Sequence, residues 1–177
     1  MPFTHDVAMA LQAAAVLANS GLDPDTLETV ADLDAFYDGF GYTGRHDGDA
    51  AELAQVRAIR PELHRMLTAE RDDAVGIVNR VLAEAGAVPQ LVRHDVSDWH
   101  LHAVGLDREL ATRILIETAM AVVDVIRQDE MSRLGTCADA DCRGVVVDLS
   151  RNRSKRFCST TCGNRNAVAA YRARQKG

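Results

Sequence analysis

All four cysteines of this chain fall in one short C-terminal stretch, as Cys137-x4-Cys142 and, fifteen residues later, Cys158-x3-Cys162. Nothing else in the sequence restricts the fold as much. Two close pairs delivered by two turns can converge four thiolates on one centre, which is the donor set a tetrahedral zinc ion takes. Two disulfides, or four unrelated buried thiols, are the alternatives. Both fit less well, because a chain without other cysteines has gathered all of them at ligand spacing.

Charge divides the chain at the same place. Residues 137–177 carry nine Lys/Arg against three Asp, a net +6, whereas residues 1–136 carry 11 Arg against 23 acidic side chains, a net −12. An acidic body with a basic tip points to a polyanion partner for the tip. A zinc ion with four thiolates would itself bring about −2 to that tip. The N-terminus has no basic leader, and no apolar run approaches the roughly 18 residues a membrane span needs. A cytoplasmic protein with reduced thiols is therefore expected, which again favours metal over disulfides. Aromatic residues make up only 5%, so the core must come from Ala, Val, Leu and Ile.

Hydrophobic spacing predicts a mainly α body. Val7, Leu11, Ala14 and Leu17 predict a helix over 5–19, stopped by Asn19-Ser20-Gly21. Asp23-Pro24 reads as an N-cap with a first-turn proline, opening one or two short helices toward Tyr37 with a break near Ala31-Asp32. Gly39, Gly41 and Gly44 mark a loop. A helix from near Asp49 carries Leu53, Val56, Ile59, Leu63 and Met66 or Leu67, and Pro61 should kink or split it. Asp72 or Asp73 caps a further helix with Val75, Val78 and Leu82 inward and Gly86 just past its end. Period two then takes over in Gln90–His94 and Trp99–Val104, which predicts a small β-hairpin. From Asp107 a long helix is expected to about Arg133, ended by Gly135. The chain divides as residues 1–134, mostly helical, and residues 135–177, a finger joined to the last helix almost directly.

Within the finger, Cys137 and Cys142 form a knuckle ahead of a strand at Val145–Val147, with Gly144 relieving crowding. Ser150–Ser154 reads as a turn and Lys155–Phe157 as the return strand. Cys158 and Cys162 then arrive at the start of a helix running through Tyr171. Knuckle, hairpin and helix in that order make a treble-clef-like four-cysteine zinc finger. A helix N-terminus offers free N–H groups and a positive dipole to the Cys162 thiolate. Gly163 lets backbone approach the sulfurs, and Asn164 can hydrogen-bond back across the loop. Arg165, Arg172 and Lys176 share one helix face, while Val168 and Tyr171 lie elsewhere and should pack on the hairpin. Together with Arg151, Arg153, Lys155 and Arg156 of the tip, the basic face either contacts phosphates or serves only to solubilise the tip and balance the thiolates.

These residues resemble a known family. Cys162-Gly163-Asn164-Arg165, preceded by Ser-Arg-Asn-Arg-Ser and followed by Ala170-Tyr171-Arg172-Ala173-Arg174, is similar to the CGNR zinc finger. In that family the finger follows an ABATE domain, and the proteins are described as stress-induced transcriptional regulators of bacteria. The resemblance implies zinc at Cys137, Cys142, Cys158 and Cys162, and DNA binding by the finger. It also leads one to expect a helical body containing the Trp99-His100-Leu101-His102 strand.

In the body, His100 and His102 share a strand face and His94 can lie across from them. Such a set can hold a metal or an anionic ligand, or can be structural. His5, His46 and His64 show no pattern. No phosphate-binding glycine loop, nucleophile elbow or paired-carboxylate motif is present, so a non-enzymatic protein is expected. The function expected is a zinc-dependent DNA-binding regulator whose body senses a small molecule, dimerises or contacts a partner. The alternative is a zinc-stapled module that docks an acidic protein or RNA.

Overall fold

Helix α1 (His5–Asn19) opens the fold and packs on two later helices and one C-terminal strand. The computed structural model describes residues 3–93 and 99–175. After α1 come α2 (Val30–Gly39), α3 (Ala50–Ala58), α4 (Arg60–Thr68), α5 (Arg71–Glu84), strands β1 (Gln90–Val92) and β2 (His100–His102), and α6 (Leu110–Arg127). A 3₁₀ turn at Met131–Arg133 leads into β3 (Leu134–Thr136), β4 (Val145–Val147) and α7 (Thr160–Gln175). The fold is mainly α, with two small antiparallel hairpins and four clustered C-terminal cysteines. Among the described residues, no helix is long and apolar enough to cross a membrane.

The α1 stripe is buried as its spacing demands: Leu11, Ala14 and Leu17 are fully enclosed and pack toward α6 and α4. Leu63, Met66 and Leu67 of α4, and Leu110, Ile114, Val122 and Val125 of α6, complete the centre. Each such side chain contributes about 1.5–3 kcal/mol by leaving water. Pro61 splits the α3–α4 stretch, standing in the first turn of α4 where its missing N–H costs nothing.

Several boundaries differ from expectation for local reasons. No helix begins at Asp23-Pro24. Thr29 is the N-cap instead, its hydroxyl accepting from Asp32 N–H at 3.2 Å while Asp32 Oδ2 accepts from Thr29 N–H at 2.8 Å. This reciprocal capping box sets the start of α2. Asp25, upstream, is held by Arg60 and Arg57. Glu70 takes the N-cap position of helix α5 without a side-chain cap bond, which leaves Asp72 and Asp73 in its first turn, favourably placed for the dipole. Its inward residues are Ala74, Val78 and Val81, and Val75 is turned out. Helix α6 stops at Arg127, not Arg133: Asp129 takes a left-handed φ of 56°, and Gly135 lies inside a strand.

Two polar devices hold the loop between α2 and α3. The buried Arg113 donates to the carbonyls of Thr43, Arg45 and Arg108. The His46 ring bridges Asp34 (2.8 Å) and Glu52 (2.7 Å) and stacks on Tyr37 at 4.3 Å. Gly44, at φ 89°, passes so close to the Leu106 backbone that a Cβ would lie 2.5 Å from its carbonyl oxygen.

Candidate metal centre

The β3–β4 hairpin brings the first cysteine pair into place. Its register, Leu134↔Val147 through Thr136↔Val145, continues into Cys137 N–H donating to Gly144 O at 2.7 Å. Cys137 and Cys142 therefore sit at the hairpin turn, where the Cys142 N–H closes onto Asp139 O at 3.0 Å. Cys158 precedes α7 by two residues and Cys162 lies in its first turn. All four Sγ atoms lie within 4.8 Å of one another, with Cys142–Cys158 at 3.5 Å and Cys158–Cys162 at 3.8 Å. Four sulfurs at about 2.3 Å from a tetrahedral zinc stand about 3.8 Å apart, so the spacing suits one ion. It also excludes disulfides, whose sulfurs lie about 2.05 Å apart. The chemistry and geometry of the donor set fit zinc, and the cluster is a zinc site.

Donors surround the sulfurs. Gly144 N–H reaches Cys142 Sγ at 3.3 Å, Cys158 N–H reaches Cys137 Sγ at 3.4 Å, and Arg165 Nη2 reaches Cys162 Sγ at 3.5 Å. Hydrogen bonding from Ser159, with help from Arg165, draws the Cys162 thiol down to about 7 against the effect of burial. Burial pushes Cys142 and Cys158 upward. Thiolate formation at those two must then come with the metal, which releases protons on binding. At Gly144 an added Cβ would fall 2.7 Å from Cys158 Sγ and 3.2 Å from Asn19 Oδ1, so only glycine fits without displacement. At Gly163 the same atom would meet only the Phe157 ring at 3.6 Å, an ordinary contact.

The finger departs from the expected hairpin in one respect. Lys155–Phe157 forms no strand, and β4 pairs with β3 instead. The register aims the backbone groups of Gly144, Val146 and Asp148 at β3, and those of Val145 at the opposite edge. That edge is taken by α1: Asn19 Oδ1 accepts from Val145 N–H at 2.7 Å and Asn19 Nδ2 donates to Val145 O at 2.9 Å. The returning segment is held otherwise, by Asp148 accepting from Ser150 and Lys155 N–H at 2.8 Å each and by Ala138 N–H donating to Arg156 O. Burial would raise the Asp148 carboxyl, but the Ser150 and Lys155 donors outweigh it and hold it below the usual value.

The body grips the finger at further points. His64 of α4 lies 2.8 Å from Arg143 O through Nε2. The buried Arg133 donates to the carbonyls of Asp148 (3.1 Å) and Ser150 (2.9 Å) and to Glu130. Val145 and Val147 belong to the main core, while Val146 faces the cysteines. A cleft of about 380 Å³ follows this junction, walled by Val16, Phe40, Val147, Ser150 and Lys155.

The cations are placed unevenly. Arg151, Lys155, Arg156 and Arg172 are exposed and make no ion pair among the described residues. Arg153 folds back onto Glu130 (2.8 Å) and Ser132. Arg165 donates from Nε to the buried Asp139 at 2.7 Å. Lys176 lies outside the described residues. Helix α7 buries only Cys162. Val168 and Tyr171, expected against the hairpin, are 48% and 57% exposed, because α7 leaves the finger and buries none of its later residues among the described residues. Asn164 is exposed and makes no side-chain hydrogen bond among the described residues, whereas Asn166 Nδ2 donates to Cys162 O at 3.0 Å.

In the body, the His100 and His102 Nε2 atoms lie 3.0 Å apart on β2, and His94 falls outside the described residues. Among the described residues they form no group of three potential metal ligands, and the four cysteines are the group that does. The residues that sequence patterns did not single out are Asn19, His64, Arg133, Asp139 and Asn166. The Asp139-x-Asp141 pair inside the knuckle was the only visible hint of any of them.

Comparison with known families agrees with this architecture. Residues 133–175 match the family model described as CGNR zinc finger. Residues 11–129, about two-thirds of the chain, match the ABATE model, described as "Putative stress-induced transcription regulator". No curated protein matches the chain. With a helical body covered by the one model and a four-cysteine centre covered by the other, the chain belongs to the ABATE family and ends in a CGNR zinc finger.

Proposed function

We propose that this protein is a zinc-dependent DNA-binding transcriptional regulator, in which the finger contacts DNA phosphates and the helical body senses a small molecule or dimerises. The observation that carries this is the projection of α7 and the basic tip from an otherwise acidic chain, with Arg151, Lys155, Arg156 and Arg172 among the exposed cations that make no ion pair among the described residues. A largely exposed helix of 16 residues is about 24 Å long, a length that can lie along a groove of duplex DNA. Arg151, Lys155, Arg156 and Arg172 would supply the electrostatic footprint. Zinc shapes the tip and takes no part in chemistry, and binding rather than catalysis is the proposed activity.

If those four cations each neutralise a phosphate, log affinity falls with log salt at a slope of about −3.6. Fluorescence anisotropy on a random duplex, across a salt series, measures this. Arg156→Ala with Arg172→Ala should bring the slope to about −1.8 while zinc content stays the same. A flat salt dependence, or no change in the double variant, would remove the phosphate-contact model.

The exposure of Val168 and Tyr171 favours a second reading, in which α7 docks a protein through a mixed apolar and basic surface. Val168→Ser with Tyr171→Ser separates the two: DNA affinity survives if phosphates are the target, and protein capture is lost if the helix is a docking surface.

A further inference from the structure

Helix α7 is held at one end only. Beyond Cys162 none of its described residues is buried, and among the described residues its hydrogen bonds to the rest of the finger come from residues 162–166. Its direction is therefore decided in its first two turns. Of these, the zinc ligand Cys162 fastens the helix at one point, while the Asn166 bond to Cys162 O lies within α7 and ties it to nothing outside. A single-point fastening leaves a rod free to swing.

Arg165, with Asn166 beside it on the same Asp139 carboxylate, supplies the second point. Its Nε donates to Asp139 Oδ2 at 2.7 Å, and its Nη2 lies 3.5 Å from Cys162 Sγ. Asp139 belongs to the knuckle and is 4% exposed. Its Oδ1 is already occupied by Asp141 N–H at 3.1 Å, so the carboxylate is fixed before Arg165 reaches it. The guanidinium thus spans the two halves of the zinc site, touching the knuckle with one nitrogen and a ligand sulfur of the helix with another. Arg172 stands about 15 Å along the axis from Cys162. A swing of about 10° would carry it about 2.6 Å, which is as long as the hydrogen bond it would make to a phosphate.

We infer that Arg165 is a positioning residue: braced on Asp139 and on the Cys162 thiolate, it sets the angle at which α7 leaves the zinc centre, and it does not contact nucleic acid itself. This rests on the DNA-binding reading only for the consequence of the aim. The brace itself can be tested without DNA. It also differs from the sequence expectation, which placed Arg165 with Arg172 and Lys176 as phosphate contacts.

The full-length zinc protein and its Arg165→Lys, Arg165→Ala and Asp139→Asn variants would be compared. Asp139→Asn is nearly isosteric and serves if the arginine variants fold poorly. Hydrogen exchange of the 163–170 amides at saturating zinc, zinc transfer to a chromophoric chelator, and the thiolate charge-transfer bands of the Co²⁺-substituted protein would be read, with the urea midpoint of the body as reference. A brace predicts that all three variants lose α7 protection and release zinc about tenfold faster, with the body midpoint unchanged. It predicts that Arg165→Ala with Asp139→Asn is no worse than either alone. Lysine should fail to rescue, because one ammonium cannot serve a carboxylate and a sulfur in the fork geometry. The cobalt bands should shift in both Arg165 variants and stay fixed in Arg172→Ala. On DNA, Asp139→Asn should weaken binding with the salt slope kept. The inference is overturned if Asp139→Asn is silent in exchange and zinc transfer, or if Arg165→Ala lowers the salt slope by about 0.9 with α7 protection intact. Absence of DNA binding by the parent protein would sink the proposed function and leave the exchange and cobalt results to decide the brace.

Discussion

Replacing Asn19 by alanine removes both hydrogen bonds that join helix α1 to strand β4. The amide sits at the last residue of α1 and satisfies the N–H and the C=O of Val145, at 2.7 and 2.9 Å. Val145 is 1% exposed, so neither group has ready access to water in the native protein. Each lost bond costs about 1 kcal/mol net, and a buried group left without a partner costs about 1–3 kcal/mol. The junction cleft lies alongside and is wide enough to admit water to one of the two groups, which brings the sum toward the lower end, about 2–3 kcal/mol. For a chain of this size that corresponds to a fall in Tm of roughly 5–10 °C. Urea denaturation followed by circular dichroism, with zinc present throughout, measures it. Asn19→Asp is the control: the carboxylate still accepts from Val145 N–H but turns an anion toward Val145 O, so it should be at least as damaging as alanine. A loss under about 0.5 kcal/mol for Asn19→Ala would show that the contact does not secure the finger to the body.

Zinc removal by a chelator should melt α7 and the cysteine loops while α1–α6 persist, because the body's core is apolar and independent of the metal; a far-UV loss equivalent to more than the 16 residues of α7 would mean that the body unfolds too. Gly144→Ala should lower zinc affinity about 10–100-fold, measured by competition with a chromophoric chelator, since the new methyl meets Cys158 Sγ and Asn19 at once. Asp25 gives an acid-side signature. Its carboxyl is held below the ordinary 3.8, first by the Arg60 hydrogen bond and then by the Leu27 N–H. A depressed folded pKa contributes stability that is present above 3.8 and is lost as pH falls through the lower folded value. Asp25→Asn should therefore flatten the urea midpoint below about pH 4, and an unchanged acid limb would exclude this ion pair as a source of it.

Local signals in the sequence carried much of this structure. The α1 boundaries, the helix break at Pro61 and the β1–β2 hairpin follow from period, proline and alternation, which depend on near neighbours alone. The zinc ligands were legible for the same reason, since each cysteine pair is a short-range unit. What escaped was set by partners distant in the chain. Asn19 looked like a helix stop, yet its side chain serves a strand 126 residues away and takes the edge that Lys155–Phe157 was expected to pair with. His64 looked patternless because its partner is 79 residues on. Arg113 interrupts an apolar helix face and is nevertheless buried, because the Thr43 and Arg45 carbonyls of a distant loop, with Arg108 O just ahead of the helix, meet its guanidinium. Val168 and Tyr171 show the converse. Their spacing promised a packed face, but among the described residues nothing covers it.

Because Val145 and Val147 lie in the same apolar core as Leu11 and Leu63, the finger is not a portable reading head. Excised at residue 133, it would expose those valines and lose Asn19 and His64 together, so the fragment should be sticky and poorly shaped even when loaded with metal. The union also has a geometric corollary. The pose of α7 is inherited from the body, and where two copies associate, the separation of their two helices is dictated by how the bodies meet. A target sequence would then carry, in the gap between its half-sites, a ruler-like record of an interface that never touches it.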